Sequence, residues 1–188
     1  NYLNFDGVDD YIDLGKHNYE NITFETVLDG NTGKIKTILY NMSNGGYQLR
    51  LSNLANSITF NYKSTATASR SLPTSFSKVI DKVYYAVTYD GEKIKTYVNG
   101  ILVKTSSSKI YFADNDSSLL IGAGRNGTDL QNFYSGKIFT TRIYNRALTE
   151  NEIEKNYLVD KNRYEFSNRG LTSSSTTATS DSGVDAYK

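Results

Sequence analysis

Apolar and polar side chains alternate with a period of two in short runs along most of the chain: Tyr2–Phe5, Tyr11–Leu14, Ile22–Leu28, Thr37–Met42, Tyr47–Leu51, Ser57–Tyr62, Val83–Tyr89, Ile94–Val98, Ile101–Thr105, Leu119–Gly122 and Tyr134–Tyr144. That period puts successive side chains on opposite faces of a strand, so each run predicts a half-buried β-strand. Turn residues separate nearly all of them, the pattern of an all-β sandwich. Asn99-Gly100 between Val98 and Ile101 predicts a two-residue hairpin turn with positive φ at both positions, and Asp90-Gly91 a second tight turn. Together they give an antiparallel meander over Val83–Thr105.

The alternation breaks once into a helix signal, after the last strand. Thr149 and Glu152 have the spacing of a capping box, in which hydroxyl and carboxylate each accept the other residue's backbone N–H, with Leu148 and Ile153 as the accompanying apolar staple. A cap contributes about 1 kcal/mol, enough to fix where a short helix starts but not to hold it alone. The helix must therefore dock on the preceding β-structure. Lys63–Ser77, rich in Ser and Thr and holding Pro73, the only proline, reads as a rim loop, and Gly170–Lys188 has too little apolar content for a core. The division predicted is a sandwich over 1–160 and a connector with a Ser/Thr-rich tail over 161–188, the tail contacting another chain or domain.

Composition narrows the function. The 188 residues carry 21 basic and 20 acidic side chains without a long block of either, which gives no electrostatic footprint for nucleic acid. No apolar run approaches the roughly 20 residues a bilayer-spanning helix needs, so no membrane insertion is expected. Without cysteine there is no disulfide framework or thiolate site. The chain opens on Asn1 and its single methionine is Met42, so it reads as a processed form or a piece of a longer protein.

Four segments resemble the laminin-G-like, concanavalin A-like jelly rolls of bacterial surface proteins, extracellular enzymes and phage structural proteins. They are LNFDGVDDYIDLG (Leu3–Gly15), NITFETVLD (Asn21–Asp29), AVTYDGEKIKTYVNG (Ala86–Gly100) and GKIFTTRIYNRALTENEI (Gly136–Ile153), in the family's order. The resemblance implies a two-sheet antiparallel jelly-roll sandwich with one short C-terminal helix. It also implies an extracellular, cell-surface or phage-virion setting. Members often carry an acidic pair after the Gly-x-Ile of the closing strand, where this chain has Phe139 and Thr140.

The superfamily includes glycosidases, which need a pair of carboxylates flanking the scissile bond. Glu150, Glu152 and Glu154 alternate, but on a helix they point different ways. Asp9, Asp10 and Asp13 read as turn caps, and His17 as a loop residue without a nucleophile beside it. No enzyme is expected. Asp114, Asn115 and Asp116 form an oxygen-rich loop, so Asp114 and Asp116 are the candidate metal ligands, calcium being the ion such a loop suits; otherwise no cofactor is expected.

If Leu49, Leu51, Ile58, Phe60, Val83, Tyr85 and Val87 point into the sandwich, then Gln48, Arg50, Thr59, Asn61, Tyr84 and Thr88 point out. Amides, a guanidinium and an aromatic ring are the groups that hold sugars. The candidate binding residues are therefore Gln48, Arg50, Asn61 and Tyr84, joined by Arg125, Asn126, Asp129 and Asn132 from the polar loop Gly124–Asn132. They point to a non-catalytic module binding cell-surface glycans within a larger protein. The alternative is a structural or protein-interaction module whose partner is a neighbouring subunit.

Overall fold

The computed structural model describes residues 1–17, 19–29, 35–42, 45–52, 57–75, 82–112 and 117–164. In chain order the strands are β1 (Leu3–Asp6), β2 (Ile12–Lys16), β3 (Ile22–Leu28), β4 (Lys36–Asn41), β5 (Tyr47–Leu51), β6 (Ser57–Lys63), β7 (Ser69–Ser75), β8 (Val83–Tyr89), β9 (Ile94–Val98), β10 (Ile101–Ser106), β11 (Ser118–Ile121), β12 (Gly124–Asn126), β13 (Asp129–Gln131) and β14 (Ser135–Tyr144). The helix α1 (Glu150–Tyr164) follows.

Two six-stranded antiparallel sheets face each other. The first runs β1-β14-β3-β8-β9-β10 and the second β2-β11-β4-β5-β6-β7. Their inner faces share one core, with Phe24, Tyr85, Val87 and Val98 from the first and Leu39, Leu49, Leu51, Ile58 and Phe60 from the second. All seven side chains that the alternation assigned inward are in it. The meander β8-β9-β10 forms as predicted, with Asn99 at φ +49° and Gly100 at φ +78° closing its second hairpin.

α1 lies on the outer face of the first sheet. The predicted cap is made: the Thr149 N–H donates to Glu152 Oε2 (2.8 Å) and the Glu152 N–H to Thr149 Oγ1 (3.3 Å). Leu148 and Ile153 are buried against Val27, Tyr84, Ala86 and Tyr97, a contribution of about 2 kcal/mol for each aliphatic side chain. Glu150 and Glu152 in the first turn and Lys161 and Arg163 in the last complement the helix dipole.

Three expectations change. The predicted rim loop over Lys63–Ser77 contains a strand, β7, paired along β6 from Ser57↔Ser75 to Lys63↔Ser69. Pro73 is tolerated because β7 is an edge strand and Pro73 turns its backbone to the unpaired side, where its carbonyl accepts from Lys104 Nζ. The loop Gly124–Asn132 is a short hairpin, β12-β13. The helix runs to Tyr164, so the expected boundary at 160 falls inside it. The candidate ligands Asp114 and Asp116 and the tail over 170–188 lie outside the described residues.

Candidate functional site

The outer faces of the two sheets differ. α1 seals the first. On the second, the side chains alternating with the buried Leu39, Leu49 and Phe60 face outward in two cross-strand rows: Tyr40–Gln48–Asn61–Ser71, and Thr37–Arg50–Thr59–Pro73. A β-bulge between Thr37 and Leu39 lets β4 bury Ile38 as well without losing either row.

The hairpin β12-β13 borders this face beside β4. The Thr37 N–H donates to Asn132 O (2.8 Å), and Gly124 lies so close that a Cβ there would stand 2.8 Å from Thr37 Oγ1. Only a glycine lets the hairpin base rest on Thr37 without displacement. Asn126 and Asp129 pair across the turn, which Gly127 makes at φ +61°. Arg125 Nη1 donates to Thr128 O (2.9 Å), and its charge reaches the Tyr40 phenol, opposing the upward shift that burial imposes there.

Beside Arg50 is an open hollow of about 200 Å³ lined by Ile35, Arg50, Leu51, Ser52, Thr59 and Asn61. Ser71 Oγ donates to Asn61 Oδ1 (2.7 Å) and the Asn61 amide donates to Thr59 O (3.4 Å), which fixes the amide's orientation. Burial pushes the Arg50 guanidinium below its usual range. Its Nε is shielded from solvent and meets no acceptor among the described residues, as does Thr37 Oγ1 across the strand pair.

Of the candidate binding residues, Gln48, Arg50 and Asn61 therefore share one face, with Arg125, Asn126, Asp129 and Asn132 on or beside the hairpin at its border. Tyr84 is not among them. It points outward from β8 as the alternation requires, but on the first sheet, where α1 covers it completely. Thr88, on the same strand, is buried there too. The residues that sequence reasoning omitted are Thr37, Tyr40, Ser71, Ser52 and Ile35. Plain alternation from an inward Leu39 turns Tyr40 outward, Thr37 is found only once the bulge is allowed for, and Ser71 was hidden in the predicted loop.

Carboxylates that could pass for a catalytic pair lie under α1. Tyr84 OH donates to Glu25 Oε1 (2.8 Å), and the Asn156 amide donates to both oxygens of Glu25 (2.9 and 3.1 Å). Arg142 reaches Glu25 at 3.4 Å and holds Asp160 with both ends of its guanidinium. Burial raises the Glu25 pKa; the hydrogen bonds from Asn156 and Tyr84 and the charge of Arg142 oppose it. Glu25 and Asp160 are fully buried, and their groups are occupied in tying strand to helix. Glu150 and Glu152 pair instead with Lys95 and Arg146 at the surface.

Two further features lie away from the open face. The carboxylates of Asp6, Asp9 and Asp10 come within 4.8 Å of one another, exposed, with Asp6 and Asp10 accepting backbone N–H groups of their own turn. A larger cleft of about 580 Å³ runs between β1 and the end of α1, bordered by Tyr2, Phe5, Ile12, Phe139 and Tyr164. Phe139, standing where the family often has an acid, contacts the rings of Tyr2 and Tyr164 there.

No helix among the described residues is long and apolar enough to cross a membrane. No curated protein matches the chain. Among solved structures, the receptor-binding domain of botulinum neurotoxin C/D mosaic serotype superposes with a TM-score of 0.66 at 17% identity, covering 85% of this chain and 42% of that one. The type G receptor-binding domain gives 0.64 at 17%, over 85% and 42%. The binding domain of botulinum neurotoxin DC in complex with SialylT gives 0.63 at 14%, over 83% and 41%. The chain thus spans about two-fifths of the length of these neighbours, and at such identities the likeness is one of fold. The sequence model of the concanavalin A-like lectin/glucanases superfamily, in its Laminin_G_3 form, matches residues 6–154. With the two-sheet sandwich and the terminal helix, that match over most of the chain makes it a member of the concanavalin A-like lectin/glucanases superfamily.

Proposed function

We propose that this chain is a non-catalytic recognition module that binds glycans through the outer face of its second sheet, within a larger extracellular, cell-surface or phage-virion protein. The observation that carries this reading is the asymmetry of the two outer faces. One is sealed by a helix; the other is open and presents Gln48, Arg50, Thr59 and Asn61 in register beside a hollow. Planar amides, hydroxyls and a guanidinium are the groups that orient a sugar ring. The fold neighbours give the reading context: for botulinum neurotoxin type C, getting into the cell is described as dependent upon interaction with two ganglioside molecules.

The absence of catalysis is part of the proposal. Glycoside hydrolysis usually takes two carboxylates about 5 to 9.5 Å apart around the scissile bond. Neither outward row contains an acid, and Glu25 and Asp160 are covered by α1. A glycan array followed by calorimetric titration, with and without calcium, tests the reading. The expected result is binding of one glycan class, weakened by Arg50→Ala. No binding of any class at millimolar concentrations in either condition would remove its basis.

A second reading, a structural or protein-interaction module joined to a neighbouring subunit, draws on the cleft beside β1. At its border Leu3, on the edge strand β1, is 55% exposed, and Tyr2 just before the strand is 52% exposed. Light scattering of the 188-residue chain separates the two readings: self-association lost on Leu3→Ser would favour this one.

A further inference from the structure

We infer that the sugar bound at this face carries a carboxylate, and that Arg50 is the residue that takes it. The inference rests on the glycan reading above and adds the chemical class of the ligand.

Two arginines of this protein hold carboxylates of their own chain. Arg142 meets both oxygens of Asp160, at 2.7 and 2.8 Å. Arg146 meets both oxygens of Glu152, at 3.0 and 2.7 Å. Each is a fork-on-fork pair, the arrangement a planar guanidinium favours. Arg50 has no such pair among the described residues, although it is partly buried and its Nε is shut away from water without an acceptor. Removing a cation from water without a counter-charge is costly, and burial here does depress the Arg50 pKa. No acid stands in either outward row to offset it. Thr37 Oγ1 directly across the strand pair is also buried and unpartnered. A second guanidinium, Arg125, borders the same face, also without an ion pair among the described residues, its Nη1 donating to the carbonyl of Thr128. The two outward rows thus hold one cation and no acid, the nearest carboxylate of the bordering hairpin being that of Asp129, at its turn.

The lining of the hollow selects among anions. Ile35, 43% exposed, offers an apolar surface beside Arg50, while Thr59 and Asn61 offer a hydroxyl and an amide. A bare inorganic anion has no use for the apolar wall. A sugar acid presents CH groups to Ile35, hydroxyls to Thr59 and Asn61 and a planar carboxylate to the guanidinium. A sulfated sugar shares the charge but not the planar two-oxygen edge.

The experiment is a titration of the 188-residue chain with lactose, N-acetyllactosamine and cellotriose, each compared with a sialylated or glucuronylated form and with a sulfated form. The carboxylated member of the preferred core is expected to bind at least about tenfold more tightly than the neutral one. The advantage should shrink with added salt and disappear in Arg50→Gln, with Arg50→Lys recovering only part of it. This comparison uses the unaltered protein, so it stands even if an Arg50 variant fails to fold. Equal affinity for neutral and carboxylated forms would overturn the inference and leave glycan binding intact. A preference for the sulfated form would overturn the carboxylate assignment. No binding by any member would overturn this inference and the glycan reading together.

Discussion

Arg142 on β14 holds Asp160 on α1 with both ends of its guanidinium, Nη1 to Oδ2 at 2.7 Å and Nη2 to Oδ1 at 2.8 Å, with Asp160 fully buried. The pair joins the last strand of the first sheet to the third turn of the helix and fixes which outer face the helix covers. Removing one partner strands the other. Asp160→Asn is expected to cost about 3 kcal/mol, whereas Arg142→Met with Asp160→Leu should cost less, because replacing a buried ion pair by apolar groups is often near neutral. Urea denaturation of the three proteins checks the order.

Beneath the same helix, Tyr84→Phe removes the hydroxyl that donates to Glu25 Oε1. A stability loss of about 1 to 2 kcal/mol is expected, since a buried carboxylate loses a donor. Glycan affinity should not change, because Tyr84 is sealed on the opposite side of the sandwich from Arg50. A change in affinity on calorimetry would place the ring in the binding face after all.

Two glutamates give the stability a pH dependence of opposite signs. Glu25 has its folded pKa raised above 4.5 by burial, so the folded protein holds its proton more tightly than the unfolded chain does, and stability falls as pH rises from 4.5 through the raised value. Glu152 is lowered to about 2 by Arg146 and the Thr149 cap. Its contribution is complete above 4.5 and is lost as pH falls from there through about 2. Denaturation midpoints should therefore lose the first slope in Glu25→Gln and soften the acid-side loss in Glu152→Gln.

The hairpin beside the open face depends on one close approach. In Gly124→Ala the new Cβ would meet Thr37 Oγ1 at 2.8 Å, and Thr37 is fully buried with little room to yield. An overpacking cost of about 1 to 3 kcal/mol is expected, together with weaker glycan binding as Arg125 shifts. Gly127→Asn is the contrast. The turn position has φ +61° and nothing within 4 Å of the added Cβ, and asparagine accepts that conformation, so stability should stay within about 0.5 kcal/mol. Thermal melts and titration of both variants check this.

The sandwich was legible in the sequence because its signals are local. Asn99-Gly100 needs positive φ and has it, and Thr149 with Glu152 cap α1 from three residues apart. β7 was not legible, since an edge strand with one polar exposed face and a proline has the composition of a loop. At the site, alternation found Gln48, Arg50 and Asn61, but it states only which side of its own strand a residue faces. It assigned Tyr84 and Arg50 to one binding surface, although they belong to different sheets and a later helix covers one of them. The Arg142–Asp160 and Glu25–Asn156 contacts were equally out of reach. They join residues far apart in sequence, and nothing local to either partner names the other.

The proposal that this module reads glycans with the open face of its second sheet is tested most directly by mapping backbone amide shifts by NMR as the tightest-binding array glycan is added. Perturbations confined to β4, β5, β6 and the β12-β13 hairpin, with the Arg50 side-chain Nε–H signal shifting most, are the expected result. Perturbations on α1, in the cleft between Tyr2 and Tyr164, or nowhere at saturating sugar would contradict it.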